Sequence, residues 1–340
     1  MNWKIAVVGA TGNVGREMLN VLAERLAGAE VAALASRKSM GVEVSFGERT
    51  LRCQDLAQYD FRGTDIVLMS AGGVVSKEWS PKIARAGAVV IDNSSAWRMD
   101  PAVPLVVPEV NGATLARYAK KNIVANPNCS TIHRVVALKC LHDEAAITRI
   151  VTSTYQSVSG AGKDAMDELF RQSRAIFVGD PVERAKFPKQ IAFNVIPQVD
   201  AFLDDGSTKE EEKQATETRK ILGPDIKVSA TCVRVPVFRG HGEACTVEFE
   251  RPLSAQRAKV LLRNAPGVML VDRHEDGGYI TPLETAGDDE VYVGRVRTDP
   301  TVANGLSLWI ASDNLRKGAA LNAVQIAEAL IAEHLKKRIA

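Results

Sequence analysis

Three patterns of apolar and polar positions follow one another along the 340-residue chain. The first is a series of short apolar runs: Lys4-Ile5-Ala6-Val7-Val8, Glu30 to Ala35, Ile66-Val67-Leu68-Met69, Ala88 to Asp92, Leu105 to Asn111 and Ile123-Val124-Ala125. Short runs without alternation predict strands buried on both faces, as in a parallel sheet covered by helices. Arg16 to Leu22, between the first two runs, reads as an amphipathic helix. The second pattern comprises longer, alternating segments, Arg149 to Tyr155, Lys227 to Val235 and Cys245 to Phe249. These predict a mostly antiparallel sheet open on one side. In the third, Ala319, Leu321, Ala323, Val324, Ile326, Ala327, Leu330 and Ile331 recur at three- and four-residue spacing. That is a helix burying one face, with Asn322 and Gln325 among the apolar positions. Lys336-Lys337-Arg338 after it suits the negative end of a helix dipole.

Length supports two domains. Hydrophobic residues make up 46% and charged residues 25%, the composition of a soluble globular protein. A net charge of +2 gives no electrostatic case for nucleic acid or a membrane surface. No apolar run approaches the ~20 residues of a membrane span. Met1-Asn2-Trp3-Lys4 leads at once into a strand, with no signal peptide expected. The cysteines at 53, 129, 140, 232 and 245 show neither disulfide density nor metal-ligand spacing, so no metal is expected and a reducing cytoplasm fits.

Two stretches carry chemistry. Gly9-Ala10-Thr11-Gly12-Asn13-Val14-Gly15 lies between a strand and a helix, the setting of a dinucleotide-binding loop. Its spacing, G-x-x-G-x-x-G, is a variant of the usual fingerprint. The next strand ends in Ser36-Arg37-Lys38-Ser39, where an NAD-binding unit usually carries an acid for the ribose hydroxyl. Hydroxyls and cations there suit a 2′-phosphate, and so NADP. The second stretch is Asn126-Pro127-Asn128-Cys129-Ser130-Thr131, a cysteine at the mouth of a helix. The positive end of the helix dipole favours thiolate, and the free N–H groups, with the Asn128 amide, suit an oxyanion. The plainer alternative is a small core cysteine.

Taken together, these stretches resemble bacterial aspartate-β-semialdehyde dehydrogenases over essentially the whole chain. The resemblance also rests on Asn93 to Arg98, Tyr155 to Gly162, Phe193 to Gln198, Glu210 to Lys213, Arg234 to Gly242 and Ser312 to Gly318. It implies an α/β protein: a Rossmann-type NADP-binding domain, residues 1–127 plus 312–340, and an α+β substrate and dimerisation domain, residues 128–311. The overall plan would be glyceraldehyde-3-phosphate-dehydrogenase-like, the assembly a homodimer, and the C-terminal helix would pack onto the first domain and bring Asn314 to the cofactor. The implied reaction is NADPH-dependent reductive dephosphorylation of L-aspartyl-4-phosphate to L-aspartate-4-semialdehyde, in lysine, threonine and methionine biosynthesis. By the same resemblance, Cys129 is the nucleophile, His241 the general acid/base and Gln156 the amide that orients substrate. Arg234 would hold the substrate carboxylate, Glu210 its amine, and Arg98, Lys213 and Asn128 the phosphate. Gly9, Thr11, Gly12, Asn13 and Val14 would meet the pyrophosphate, Arg37 and Ser39 the 2′-phosphate, and Gly73, Gly160 and Asn314 the nicotinamide half.

One departure stands out. After Ile132 the family usually continues with a glutamine and a large apolar residue, and here the pair is His133-Arg134. His133 lies four residues past Cys129, on the same helix face. It is expected either to fill the glutamine's place as a hydrogen-bonding side chain or, as imidazolium, to favour the thiolate. Arg134, if buried, requires a carboxylate partner. Two other readings stay open at this stage: a non-catalytic NADP-binding homologue, and another acyl-phosphate reductase such as an N-acetyl-glutamyl-phosphate reductase.

Overall fold

A computed structural model describes residues 3–335, so the Lys336-Lys337-Arg338 run lies outside the described residues. The contacts divide into two compact units, one formed by the chain up to Asn128 together with the segment from Ala319 onward, the other by Cys129–Gly318.

The first unit is built on β1 (Lys4–Val8), α1 (Asn13–Arg25), β2 (Glu30–Ala35), a hairpin of β3 (Glu43–Phe46) and β4 (Arg49–Arg52), and the short β5 (Gln54–Asp55). It continues with β6 (Ile66–Met69), α2 (Gly73–Arg85), β7 (Val89–Asp92), a helical turn α3 (Pro108–Asn111) and β8 (Ile123–Ala125). The main sheet has the order β5-β2-β1-β6-β7-β8, and every pairing is parallel. Order reverses at β1, whose neighbours are β2 and β6; such a switch point opens a crevice at the strands' carboxyl ends. The strands read as unbroken apolar runs because both faces are covered: Ile5, Ala6, Val7 and Val8 are all buried. The expected strand from Leu105 to Asn111 is not formed. Only Leu105 bridges to Ala125, and Pro108 starts α3 instead. Proline lacks the N–H a ladder needs, and its fixed φ suits the first turn of a helix.

The second unit contains α4 (Cys129–Ala145), β9 (Ile147–Gln156), α5 (Lys163–Val178), α6 (Lys209–Leu222), β10 (Lys227–Arg234) and β11 (His241–Phe249). It continues with α7 (Ala255–Arg263), β12 (Val268–Leu270), β13 (Val291–Thr298) and β14 (Gly305–Ser312). Its sheet runs β10-β9-β11-β14-β13-β12. The pairings from β9 to β13 are antiparallel, and β10 and β12 add parallel edges, so the sheet is mixed. Ile150, Thr152, Thr154 and Gln156 point to the covered face, whereas Ser153, Tyr155, Ala244 and Trp309 stay partly exposed on the other. Helix α4 is buried at every position from Ser130 to Leu138, and so lacks an amphipathic stripe. Helix α6 starts in a capping box: Thr208 Oγ1 accepts the Glu211 N–H, and the Glu211 carboxylate accepts that of Thr208 at 2.7 Å. Its buried stripe is mostly polar, with Glu210, Gln214, Glu217 and Thr218.

The chain then returns to the first unit as α8 (Leu321–Ala329). Leu321, Val324, Ile326 and Leu330 join the core of that unit, and burial of each contributes about 1.5–3 kcal/mol. Asn322 is tolerated in this apolar setting because its Nδ2 donates to Val106 O at 3.0 Å and to Asn126 Oδ1 at 2.6 Å. Residues 312–318, expected with the nucleotide domain, group with the second unit: Ser312 ends β14, and the division falls at Ala319.

Candidate active site

The second unit gathers most of the chemistry around the start of α4. Cys129 is the first residue of this 17-residue helix and is half-buried. At that position the sulfur meets the positive end of the helix dipole, which favours thiolate. A Cβ added to Gly318 would lie 2.8 Å from the Cβ of Cys129 and 2.8 Å from Nε2 of His133. Only glycine lets the main chain pass this close.

His241 opens β11 and is fully buried. Its Nδ1 accepts the Ser157 N–H at 3.0 Å and lies 3.0 Å from the Ser157 hydroxyl. A main-chain N–H can only donate, so the neutral ring carries its proton on Nε2, the atom left without a protein partner. Burial, reinforced by His133 and Arg234, pushes His241 well below the ordinary histidine range. The resting residue is therefore a neutral N–H donor. Asn314 braces this arrangement: its Oδ1 accepts from the hydroxyls of Ser157 and Ser159 at 3.1 Å each and from the Gly240 N–H at 3.0 Å.

Arg234 ends β10, opposite Gln156 at the end of β9. Its Nη1 donates to Ser157 O at 2.7 Å, which is its one described side-chain bond and leaves the rest of the fork for a ligand. Burial lowers its pKa, against the pull of Glu210 and Cys129. A Cβ on Gly160 would lie 3.2 Å from Arg234 Nη1 and 3.4 Å from His241 Nε2, so this glycine sits between the two. Gln156 Nε2 donates to Glu210 Oε1 at 3.1 Å, and Lys213 Nζ donates to Glu210 Oε2 at 3.2 Å and to Asp200 at 2.7 Å. Glu210 is 6% exposed, so the acidic run at the start of α6 is not a plain solvated face. Burial works to lower the Lys213 pKa, but Glu210 and Asp200 outweigh it and hold the pKa above the ordinary value. Lys213 is therefore a paired cation, not a free one.

His133 is also fully buried. Burial pushes its pKa down to about 3, with the Asp313 main chain hydrogen-bonded to the ring and the cations Lys317 and Arg134 nearby. This burial disfavours the imidazolium alternative and agrees with a neutral, hydrogen-bonded ring in the glutamine's place. Arg134 is fully buried and has the carboxylate it requires, Glu243 at 3.0 Å.

The first unit holds the remaining predicted residues. Gly9 has φ +83°, and a Cβ there would lie 2.7 Å from Ser70 O, at the end of β6. One on Gly15 would lie 2.1 Å from Gly9 O. Gly9 and Ala10 also donate to Leu34 O, tying the loop to the end of β2. At the start of α1 the first turn carries no acidic residue, and Gly12, the N-cap, supplies no side-chain cap. Such a helix start suits a pyrophosphate. Thr11, Asn13 and Val14 are partly exposed in this loop. Arg37 is exposed and Ser39 partly exposed in the turn after β2, and Gly73 opens α2. Arg98 is buried, with Nε on Asn126 O at 2.9 Å and Nη2 on Asn93 O at 3.0 Å, so it holds the main chain three residues before Cys129. Asn128 is buried as well.

Sequence reasoning assigned no role to Ser157, Ser159, Glu243 or Gly318. Ser157, Ser159 and Gly318 fall inside stretches that carry the resemblance; Glu243 has no local signal beyond its place two residues after His241.

Comparison with known proteins identifies the family. Residues 4–118 match the family described as "Semialdehyde dehydrogenase, NAD binding domain", and residues 138–317 the one described as "Semialdehyde dehydrogenase, dimerisation domain". The chain is similar to aspartate-semialdehyde dehydrogenase of Aquifex aeolicus, 52% identical over 98% of this chain and 100% of that protein. The same enzyme of Rickettsia conorii is 50% identical over 98% and 99% of the two chains. Among solved structures, aspartate semialdehyde dehydrogenase II of Vibrio cholerae complexed with ASA superposes with a TM-score of 0.96, at 47% identity over 98% of this chain and 100% of that one. The Candida albicans enzyme with NADP superposes at 0.76, with 26% identity over 98% and 99% of the two chains. Among the described residues, no helix is long and apolar enough to cross a membrane.

Proposed function

The chain belongs to the aspartate-semialdehyde dehydrogenase family, and from that premise we propose that it converts L-aspartyl-4-phosphate to L-aspartate-4-semialdehyde and inorganic phosphate through a thioester on Cys129. The observation that carries this reading is Cys129 opening α4, in the same unit as the Arg234, His241, Gln156 and Glu210 cluster. The Vibrio cholerae relative, an aspartate semialdehyde dehydrogenase II solved in complex with ASA, supports a small-molecule site in this family.

In the proposed reaction the Cys129 thiolate attacks the acyl carbon, the bond to phosphate breaks, and a thioester remains. NADPH, when bound, supplies the hydride that reduces this thioester. The chain's own residues do the rest. The Nε2–H of His241 hydrogen-bonds the oxyanion at each tetrahedral stage, and collapse of the reduced adduct releases the aldehyde and the thiolate. The open edge of Arg234 takes the substrate carboxylate as a bidentate partner. Glu210, held by Gln156, takes the amine; Arg98, Asn128 and Lys213 serve the phosphate. Gly73, Gly160 and Asn314 serve the nicotinamide half, and Gly160 and Asn314 also shape the surroundings of His241.

The glycine cradle fits a dinucleotide because backbone, not side chains, fills the space around it. Thr11, Gly12, Asn13 and Val14 would hold its pyrophosphate, and Arg37 and Ser39 a 2′-phosphate, so NADP is preferred. The Candida albicans relative, solved with NADP, agrees. The assembly is a homodimer. A matched dimerisation domain supports this, as do the exposed apolar side chains Phe170, Phe177, Phe193, Val195 and Phe202 of the second unit. Five free cysteines suit the reducing cytoplasm.

The test is NADPH formation from L-aspartate-4-semialdehyde and NADP with and without inorganic phosphate. Turnover that requires phosphate supports the reading; a folded, NADP-binding protein with no turnover refutes it.

A further inference from the structure

Arg134 heads the largest fully buried side chains among the described residues, and it lies on a helix buried at every position from Ser130 to Leu138. Burying a guanidinium is costly, and an apolar side chain of similar volume fills such a space at less cost. Its partners lie on two other elements. Nη1 donates to Glu243 Oε2 at 3.0 Å; Nη2 donates to Gln214 Oε1 at 2.7 Å, to Gln214 O at 3.2 Å and to Thr218 Oγ1 at 2.9 Å. Thr152 adds a bond to Glu243 at 3.3 Å.

Those partners stand next to the site groups. Gln214 and Thr218 follow Glu210 at four-residue steps, on one face of α6. Glu243 lies two residues after His241, on the same face of β11. Arg134 itself lies five residues after Cys129 on α4. The rigid fork thus joins the helix of the nucleophile, the helix of Glu210 and Lys213, and the strand of His241. A lysine, with one compact ammonium, cannot hold both sides in this geometry.

We infer that Arg134 is a positioning residue: it sets the distance of Glu210 and Lys213 on one side, and of His241 on the other, from Cys129. This rests on the proposed reaction for its kinetic readout, and on thiol chemistry for a readout independent of turnover.

The experiment compares the parent with Arg134→Met/Glu243→Gln, which removes both charges together, and with Arg134→Lys, which keeps a charge opposite Glu243. The Michaelis constant for L-aspartate-4-semialdehyde is expected to rise about tenfold or more in the double variant and less in Arg134→Lys, while that for NADP stays put. Alkylation of Cys129 by iodoacetate, a small carboxylate, is expected to slow several-fold in the same order. Folded variants with both readouts within about twofold of the parent would overturn the inference and leave Arg134 a packing residue. Should the parent lack turnover, the proposed reaction is what has failed, and the iodoacetate rates still decide the role of Arg134.

Discussion

The main-chain N–H of Ser157 donates to Nδ1 of His241 at 3.0 Å, and this bond fixes which nitrogen of the buried ring carries the proton. It makes His241 a donor at Nε2 in its neutral form, placed to hydrogen-bond an oxyanion or to give it a proton as a general acid. His241→Asn is expected to lower kcat by about 10²–10⁴ while Cys129 remains open to alkylation by iodoacetamide. Steady-state kinetics beside the alkylation rate check this; an unchanged kcat would remove His241 from the chemistry.

Gly160 separates Arg234 from His241. In Gly160→Ala the new methyl stands 3.2 Å from Arg234 Nη1, tighter than an ordinary contact. The arginine has to give way, and kcat/KM for the semialdehyde is expected to fall about tenfold, equivalent to about 1.4 kcal/mol. Steady-state kinetics check this; the same kcat/KM as the parent would mean that Arg234 does not meet the substrate.

The neutral state of His133 has a thermodynamic consequence. Its folded pKa, about 3, lies below the ordinary 6.5. The stability tied to this depressed pKa is complete above about pH 6.5 and is lost as pH falls toward 3. Across pH 6 to 5 this single group accounts for up to about 1.4 kcal/mol per pH unit. His133→Gln should therefore flatten the acid side of the stability curve, measured by denaturant unfolding, without changing the pH profile of Cys129 alkylation above pH 5. A shifted alkylation profile would restore an imidazolium beside the thiol.

Gly9 tests the nucleotide loop. With φ +83° and Ser70 O at 2.7 Å from an added Cβ, Gly9→Ala must move backbone against backbone. A penalty of about 1–3 kcal/mol is expected to appear as about a 5- to 150-fold loss of NADP affinity by fluorescence titration, the factor that such strain implies. Unchanged affinity would place the dinucleotide elsewhere.

These residues also show what the chain discloses as text. Gly9 to Gly15 and Asn126 to Thr131 were readable because strand, turn and helix lie within one short window, and local geometry decides their shape. The pairings behind the site are not local. Ser157 and His241 are 84 residues apart, and Arg134 and Glu243 are 109 apart. No periodicity encodes them. The stretch around Pro108 shows the converse: an apolar run read as a strand became a helical turn, because proline removes a ladder donor. Burial of Glu210 likewise depends on how α6 packs, which the local sequence does not encode.

The central claim is the thioester on Cys129, and a burst experiment tests it most directly. Mixing enzyme, NADP and L-aspartate-4-semialdehyde without phosphate should release about one NADPH per active site and leave an aspartyl adduct on Cys129, seen by mass spectrometry. Added phosphate should discharge the adduct, and Cys129→Ser should show neither burst nor adduct. A burst with no adduct on Cys129, or phosphate-dependent turnover that survives in Cys129→Ser, would contradict the account.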